Sequence, residues 1–292
     1  MIPFIPPELT DIIIRNCTST FSLPSDDTAI DREARFTLLA CSLVCRNWLP
    51  ASRSNIFSQI KIQCTANDLS TFEYLISSRT CTFLNYVQKI TIVIPETISD
   101  VVSSGLIENI MMFPGLQPAC IRIYGGRHIT SKRNVFMREQ IRLSLAEAFT
   151  RVYRSRASSA LPTNLTLSTL VFESSSDLTL FLRSFASITS LHLDDLSFMV
   201  HSPSPHMPPQ QLEKLQLTGS QVVERTLMWL ASFHRVSRPP VRELLVEGLR
   251  EPREIALLVS FMAVNGGVLE RVEVGFEEPE GCNWRWGEQE LL

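Results

Sequence analysis

Two stretches, Ile188-Thr189-Ser190-Leu191-His192-Leu193 and Leu212-Glu213-Lys214-Leu215-Gln216-Leu217, place apolar residues at the same three positions of six. The last two apolar residues of each stretch would share one face of a strand, because successive side chains in a strand point to opposite sides. The same spacing recurs in five segments: Leu167/Leu170/Phe172, Ile188/Leu191/Leu193, Leu212/Leu215/Leu217, Val241/Leu244/Val246 and Leu269/Val272/Val274. This internal repetition predicts a series of similar supersecondary units.

Helical patterns fill most of the intervals between these predicted strands. Apolar residues at helical spacing occur at Leu178/Phe181/Leu182/Phe185, Val223/Leu227/Leu230/Ala231 and Ile255/Leu258/Val259/Met262. Earlier units are predicted at Val87/Ile90/Ile92 and, in degenerate form, at Ile121/Ile123. A repeated strand and helix is the unit of a solenoid, because neither element buries its apolar face without a stacked neighbour. We therefore predict an α/β solenoid over residues 61–292, with an ordinary α/β sheet domain as the alternative.

The first 60 residues follow a different pattern, which predicts a short all-α module of three helices. Leu9, Ile12 and Ile13 lie at helical spacing behind a proline pair, and proline is well tolerated where a helix begins. A second helix is predicted from near Arg35. Its apolar face would consist of Phe36, Leu39, Ala40 and Leu43. We expect this face to pack against the apolar stripe of the first helix.

Two segments of this module, Ile5-Pro6-Pro7-Glu8-Leu9 and Val44-Cys45-Arg46-Asn47-Trp48, resemble the ends of the F-box, whose pattern opens Leu-Pro-x-Glu and closes Val-Cys-Arg-x-Trp. The connection 16–34 is longer than the turn usual in that family. F-box proteins dock on the linker subunit of SCF-type ubiquitin ligases, which bridges to the cullin. The resemblance assigns seven residues to this contact and the core beneath it: Pro6, Leu9, Ile13, Leu39, Val44, Cys45 and Trp48. A helical module without such a partner is the alternative.

The repeated units resemble the leucine-rich-repeat region that often follows an F-box, especially in large fungal families. They depart from the family where its repeat has Asn or Cys, namely at Ser175, Leu196, Ser220, Leu249 and Glu277. Together the two resemblances imply a substrate-recruiting adaptor subunit of an SCF-type E3 ubiquitin ligase. The alternative is a ligase-independent protein-interaction scaffold.

Polar side chains that alternate with the strand leucines are candidates for binding the protein target. If the strands line a concave face, these side chains point outward from it. The candidates are Glu173, His192, Asp194, Lys214, Gln216, Glu243, Glu247 and Arg271. Acids outnumber bases along the predicted face, which favours a mildly basic partner segment. A solvated polar surface is the alternative.

Charges are segregated elsewhere in the chain. The segment from Arg122 to Arg156 is basic, and the segment from Glu270 to Glu290 is acidic. The basic segment suits recognition of an acidic or phosphorylated substrate, contact with the acidic tail, or a solvated helix face. The cluster Trp284-Arg285-Trp286 is expected to cap the last repeat.

Composition narrows the possible functions. The net charge of -3 argues against a general nucleic-acid binder. No apolar stretch is long enough to span a bilayer, and the start lacks the basic region of a signal peptide, so a cytoplasmic or nuclear location is expected. The seven cysteines form no C-x-x-C and no zinc-binding spacing, and no P-loop, G-x-G-x-x-G or G-x-S-x-G occurs. We therefore expect a non-enzymatic protein with no metal and no cofactor.

Overall fold

The structure is a computed structural model, and it divides the chain into two compact units, residues 1–166 and 167–292. In the helix that begins at Ala29, side chains are described from Phe36 onward. The boundary expected at residue 60 stays a prediction. The residues that the structure describes are 9–10, 12–14, 29–44, 46, 48–79, 81–94, 109–111, 113, 115–125, 147, 150–151, 162–200, 206–233 and 239–276.

The first unit begins with helices and continues with strands. Residues 9–10 and 12–14 are helical. The further elements are α1 (Ala29–Val44), α2 (Leu49–Phe57), β1 (Gln59–Gln63), α3 (Ala66–Ser77), a 3-10 turn (Leu84–Tyr86), β2 (Lys89–Ile94), β3 (Cys120–Gly125) and, at the boundary between the units, β4 (Asn164–Ser168). Helix α1 begins several residues before its predicted start near Arg35, so the polar connection ahead of it is shorter than expected.

The second unit alternates strands and helices. Its elements are β5 (Val171–Phe172), α4 (Ser175–Leu182), β6 (Ser190–Asp194), β7 (Ser197–Phe198), β8 (Lys214–Thr218), α5 (Ser220–Ala231), β9 (Glu243–Leu249), α6 (Pro252–Asn265) and β10 (Arg271–Phe276). The short strands β5 and β7 pair with each other in a separate two-stranded sheet. The helical patterns in this part of the sequence coincide with α4, α5 and α6.

The prediction of a solenoid is wrong. Eight strands form one mostly parallel sheet in the order β1-β2-β3-β4-β6-β8-β9-β10. With their helices these strands make an ordinary α/β fold and not a clear solenoid. The repeat spacing predicted the alternating strands and helices. It does not distinguish a solenoid from an ordinary parallel sheet, because any parallel sheet needs a crossover, usually a helix, between neighbouring strands.

The core of the second unit lies on one face of its strands. The strand leucines and valines at the predicted inward positions are buried: Leu191, Leu193, Leu215, Leu217, Leu244 and Val246. Helix α5 buries Val222, Val223, Leu227 and Leu230, and it contacts β8 and β9. The indole Nε1 of Trp229 in this helix donates to the carbonyl oxygen of His206 at 2.8 Å. Alternation therefore predicted the buried face of β6, β8 and β9 correctly, whereas Val272 and Val274 at the equivalent positions of β10 are each 38 % exposed.

The helical segments of the first unit share a small core. Ile14, Leu38 and Ala51 are buried together, and Trp48 and Ile56 pack against them. The core residues Ile14 and Leu38 are the sequence neighbours of Ile13 and Leu39, which were expected to pack. The stripe at Leu9, Ile12 and Ile13 was expected to be buried against the α1 face at Phe36, Leu39, Ala40 and Leu43. This expectation is wrong, because all of these residues are exposed.

Candidate docking surface on the N-terminal helices

The helical segments of the first unit leave a set of large apolar side chains exposed. Leu43 is 86 % exposed and Val44 is 65 % exposed, although both belong to helix α1. We call the whole set the apolar helix surface, and it consists of Leu9, Ile12, Ile13, Phe36, Leu39, Leu43 and Val44. Phe36, Leu39 and Leu43 share one side of α1, and contiguous exposed apolar groups mark interaction sites more often than isolated surface leucines do.

Helical geometry explains why this surface is left uncovered. Leu38 and Cys41 in α1 are three positions apart and buried, whereas Phe36, Leu39 and Leu43 lie at helical spacing on a different side. The helix is therefore apolar on more than one side, and the small core covers only one of them. Two sides of α1 need apolar partners, and the described part of the molecule supplies one.

The seven residues assigned by the F-box resemblance fall into two groups. Leu9, Ile13, Leu39 and Val44 are exposed. Trp48 is half-buried and packs against Ile14, Leu38 and Ala51 in the core cluster. Pro6 and Cys45 lie outside the described residues. The resemblance did not separate contact residues from core residues, and the burial of each side chain separates them.

Sequence reasoning assigned three members of this surface to internal packing without also assigning them to the linker contact. Ile12, Phe36 and Leu43 were expected to be covered by a neighbouring helix, and each is exposed. The sequence contained a signal for this outcome, because α1 has apolar residues at 38 and 41 as well as at 36, 39 and 43. A helix with a second apolar stripe needs a second partner.

The stretch that contains the α1 members of the apolar helix surface is positively charged, whereas Glu8, Asp11 and Arg15 flank Leu9, Ile12 and Ile13. Between Phe36 and Phe57 the charged residues are Arg46 and Arg53, and no acid occurs in this stretch. Arg46 is exposed, and Nη1 of Arg53 donates to Oγ1 of Thr82 at 3.3 Å.

A second candidate site is the polar face of strands β6, β8, β9 and β10. The parallel register places Lys214, Glu243 and Arg271 side by side, and it aligns His192 with Gln216. Asp194, Thr218 and Glu247 form the next row on the same face. Seven of the eight predicted target-binding residues are thus together. The eighth, Glu173, follows β5 of the separate two-stranded sheet and is not among them.

Most of the charges on this polar face pair with each other. Nζ of Lys214 lies 2.8 Å from the carboxylate of Glu243, and this hydrogen bond lowers the pKa of Glu243 below its ordinary value. Arg271 pairs with Glu273. Asp194 accepts from Oγ of Ser168 at 3.0 Å, and Glu247 accepts from Oγ1 of Thr218 at 3.4 Å. The charge left after pairing is acidic and lies at Asp194 and Glu247.

Metal-binding groups and nucleophilic thiols were the other kinds of site considered among the described residues. They contain no group of three His, Cys, Asp or Glu side chains arranged to hold a metal ion. The cysteines at 41, 64, 81 and 120 form no disulfide, and burial raises the pKa of Cys64 to about 12. A thiol with so high a pKa is a poor nucleophile at neutral pH.

No helix in the described ranges has both the length and the hydropathy needed to cross a membrane. Of the basic segment from Arg122 to Arg156, the structure describes residues 122–125, 147, 150 and 151. Within it, Arg151 pairs with Glu147 one helical turn earlier, at 3.4 Å. The rest of that segment and the cluster Trp284-Arg285-Trp286 lie outside the described residues.

No protein-family model matches the chain, and no curated protein matches it.

Proposed function

We propose that this protein is a substrate-recruiting adaptor subunit of an SCF-type E3 ubiquitin ligase. In this proposal the N-terminal helices dock on the linker subunit, which bridges to the cullin, and the α/β sheet binds a protein target. The observation that supports it best is the apolar helix surface, which lies where the F-box resemblance assigns the contact. The protein would supply proximity between target and ligase rather than chemistry.

The energy available at the apolar helix surface suits a docking role. Burial of one leucine, isoleucine, valine or phenylalanine side chain is worth about 1.5–3 kcal/mol. A few such anchors dominate the affinity of most protein interfaces, and the remaining contacts exclude water. Leu39, Leu43 and Phe36 on one helix provide the anchors, and the helix can enter a groove as amphipathic helices commonly do.

The polar face of the sheet is the proposed site for the target. Because Asp194 and Glu247 have no ion-pair partner among the described residues, this face has an acidic excess at the row that they share. A basic target segment would complement that row. We propose that the protein binds the linker subunit and the target in the cytoplasm or the nucleus.

Co-purification with the linker subunit tests the docking step. Leu39→Glu places a charge within the apolar helix surface and should weaken binding by about thirtyfold or more. Leu75→Glu is the matched control: Leu75 is 50 % exposed on α3 and Leu39 is 48 % exposed on α1, but only Leu39 belongs to the proposed surface. The control should bind as the parent does.

A different result would favour the alternative function. If the folded parent does not bind the linker subunit, the adaptor proposal fails and a ligase-independent interaction scaffold takes its place. If the parent binds and both variants bind equally well, the contact lies elsewhere on the chain. Circular dichroism of all three proteins establishes that differences in binding do not come from unfolding.

A further inference from the structure

Strand β10 presents apolar side chains at the end of the sheet. In the described part of the chain the sheet ends at β10, and β9 is its neighbour. Val272 and Val274 in β10 are aligned in register with Leu244 and Val246 in β9. The two β9 residues are 1 % and 0 % exposed, whereas the two β10 residues are each 38 % exposed. Apolar surface therefore lies where an adjoining strand would cover it.

Helix α6, which connects β9 to β10, has an exposed apolar stripe as well. Ile255 and Val259 lie one helical turn apart, and both are exposed. Helix α5 packs against α6, so these two side chains lie on a side of α6 that α5 does not cover. We call Ile255, Val259, Val272 and Val274 the terminal apolar surface. Contiguous exposed apolar groups of this kind mark interaction sites.

The backbone of β10 can pair with a further strand. The N–H of Arg271 donates to the carbonyl oxygen of Arg242, on the β9 side, at 3.0 Å. Consecutive residues of a strand direct their N–H and C=O groups to alternate sides, so Val272 and Val274 direct theirs away from β9. These outward-directed groups are a template for the addition of another strand.

The charges of β10 are complementary to those of a second copy of the strand. Arg271 and Glu273 alternate with the valines, lie on the opposite face and pair with each other. If two β10 strands pair antiparallel about a twofold axis at Val272, each Arg271 lies opposite Glu273 of the other copy. An axis at Glu273 would instead place two carboxylates opposite each other, which is destabilising. The charges therefore favour one register, and that register is self-complementary, as a twofold interface requires.

We propose that the protein forms a twofold-symmetric dimer by antiparallel pairing of β10 with β10 of a second copy, centred on Val272. The terminal apolar surfaces of the two copies flank the seam and lose contact with water there. The occupant is a second copy because the central valine and the alternating charges match their own symmetry mates. A uniformly acidic or uniformly basic peptide would match one charge and repel the other. This proposal does not depend on the ligase function.

Disulfide trapping on the full chain tests the proposed centre of the seam. Residues opposite each other in a hydrogen-bonded antiparallel pair have Cα atoms about 5.5 Å apart, which a disulfide can bridge. Val272→Cys should therefore form a covalent dimer under mild oxidation. Val274→Cys is the matched control, because the two valines are equally exposed in the same strand. Its two copies would lie about 14 Å apart along the seam, so it should form about tenfold less covalent dimer.

The chain has seven cysteines, so mass spectrometry of the linked peptides establishes that the bond joins the two copies of position 272.

Charge reversal, followed by sedimentation equilibrium, tests the pairing independently. Arg271→Glu places acids opposite acids across the seam, and Glu273→Arg places bases opposite bases. Each variant alone should self-associate about tenfold more weakly than the parent. An equimolar mixture of the two variants restores opposite charges and should recover the dimer. Lys214→Glu, which reverses an exposed cation on the same face two strands away, should associate as the parent does.

Three results would each overturn the proposal. The first is a parent chain that stays monomeric at a concentration of about 100 μM, where a specific dimer should form. The second is equal trapping by Val272→Cys and Val274→Cys, and the third is a mixture of the charge variants that associates no better than either alone. If a charge variant does not fold, as judged by circular dichroism, the two cysteine variants still decide the outcome.

Discussion

Leu39 and Leu217 are both leucines in regular secondary structure, and they have opposite environments. Leu217 in β8 is fully buried, whereas about half of Leu39 in α1 is exposed. The sheet of the second unit places its strand leucines against helices of the same chain. The N-terminal helices leave theirs uncovered around a core of only a few residues. The difference indicates that strands β6, β8 and β9 have a covered core face, whereas the exposed side chains of α1 form the surface that we propose for a partner.

The largest effect on stability is expected for Leu217→Ala. This substitution removes a fully buried side chain from the middle of the sheet and leaves a cavity that the neighbouring strands cannot fill. We expect the free energy of unfolding to fall by about 2–5 kcal/mol. Urea unfolding followed by circular dichroism measures it. A loss below 1 kcal/mol, on the order of a surface substitution, would mean that this face is not a packed core.

A smaller loss is expected for Glu254→Gln, which tests a polar contact between two helices of the second unit. The buried carboxylate of Glu254 accepts from Oγ of Ser220 and from the backbone N–H groups of Arg250 and Glu251, the latter two at 2.8 and 3.1 Å. These contacts join the first residue of α5 to the start of α6. Replacing a charged acceptor by a neutral amide should cost about 1–3 kcal/mol at neutral pH.

The pH dependence of the Glu254 contribution follows from its pKa. Burial opposes ionisation, but the hydrogen bonds from Ser220, Arg250 and Glu251 outweigh it and lower the pKa below the ordinary value of 4.5. The carboxylate therefore stabilises the fold above pH 4.5, and this contribution is lost as the pH falls through the lowered pKa. The stability difference between parent and Glu254→Gln should shrink in acid. A difference that stays constant with pH would contradict this assignment.

Leu39→Ala should scarcely affect stability. The side chain lies outside the core cluster and about half of it is exposed, so the free energy of unfolding should change by no more than about 0.5 kcal/mol. The same urea experiment measures this change beside that of Leu217→Ala. A loss comparable with that of Leu217→Ala would show that Leu39 is a core residue and would remove the contrast between the two regions.

The smallest effect is expected for Lys214→Gln on the polar face of the sheet. Lys214 and Glu243 form an ion pair between partly exposed side chains, and water and salt screen such pairs. We expect no measurable change in stability at high salt, and a rise in the pKa of Glu243 toward its ordinary value. NMR titration of the Glu243 carboxyl carbon measures that pKa. An unchanged pKa would mean that Lys214 does not interact with Glu243 in solution.

Much of the second unit could be predicted from the sequence. The apolar pairs Leu191/Leu193, Leu215/Leu217 and Leu244/Val246 occupy the buried face of β6, β8 and β9 as expected. Strand alternation is a local property, so it can be read from a few residues. The curvature of the sheet could not be read in this way, because it depends on how neighbouring units pack, and the expected solenoid was wrong.

The candidate docking surface was less predictable for a related reason. The spacing of Phe36, Leu39 and Leu43 showed that they share a side of α1, and this was correct. It did not show whether that side faces the chain's own core or a partner. Leu38 and Cys41 compete for the same core from another side of α1, and their burial decided the outcome. Val272 and Val274 had an equivalent ambiguity, because the buried face of the sheet ends at β10.

Side-chain footprinting with hydroxyl radicals, with and without the SCF linker subunit, tests the docking surface most directly. We predict that Phe36, Leu39 and Leu43 become protected in the complex. Tyr74 and Leu75, which are exposed on α3 of the same unit, should be labelled equally in both samples. Unchanged labelling of Phe36, Leu39 and Leu43 at a saturating concentration of the linker subunit would contradict the assignment of the apolar helix surface as the docking site.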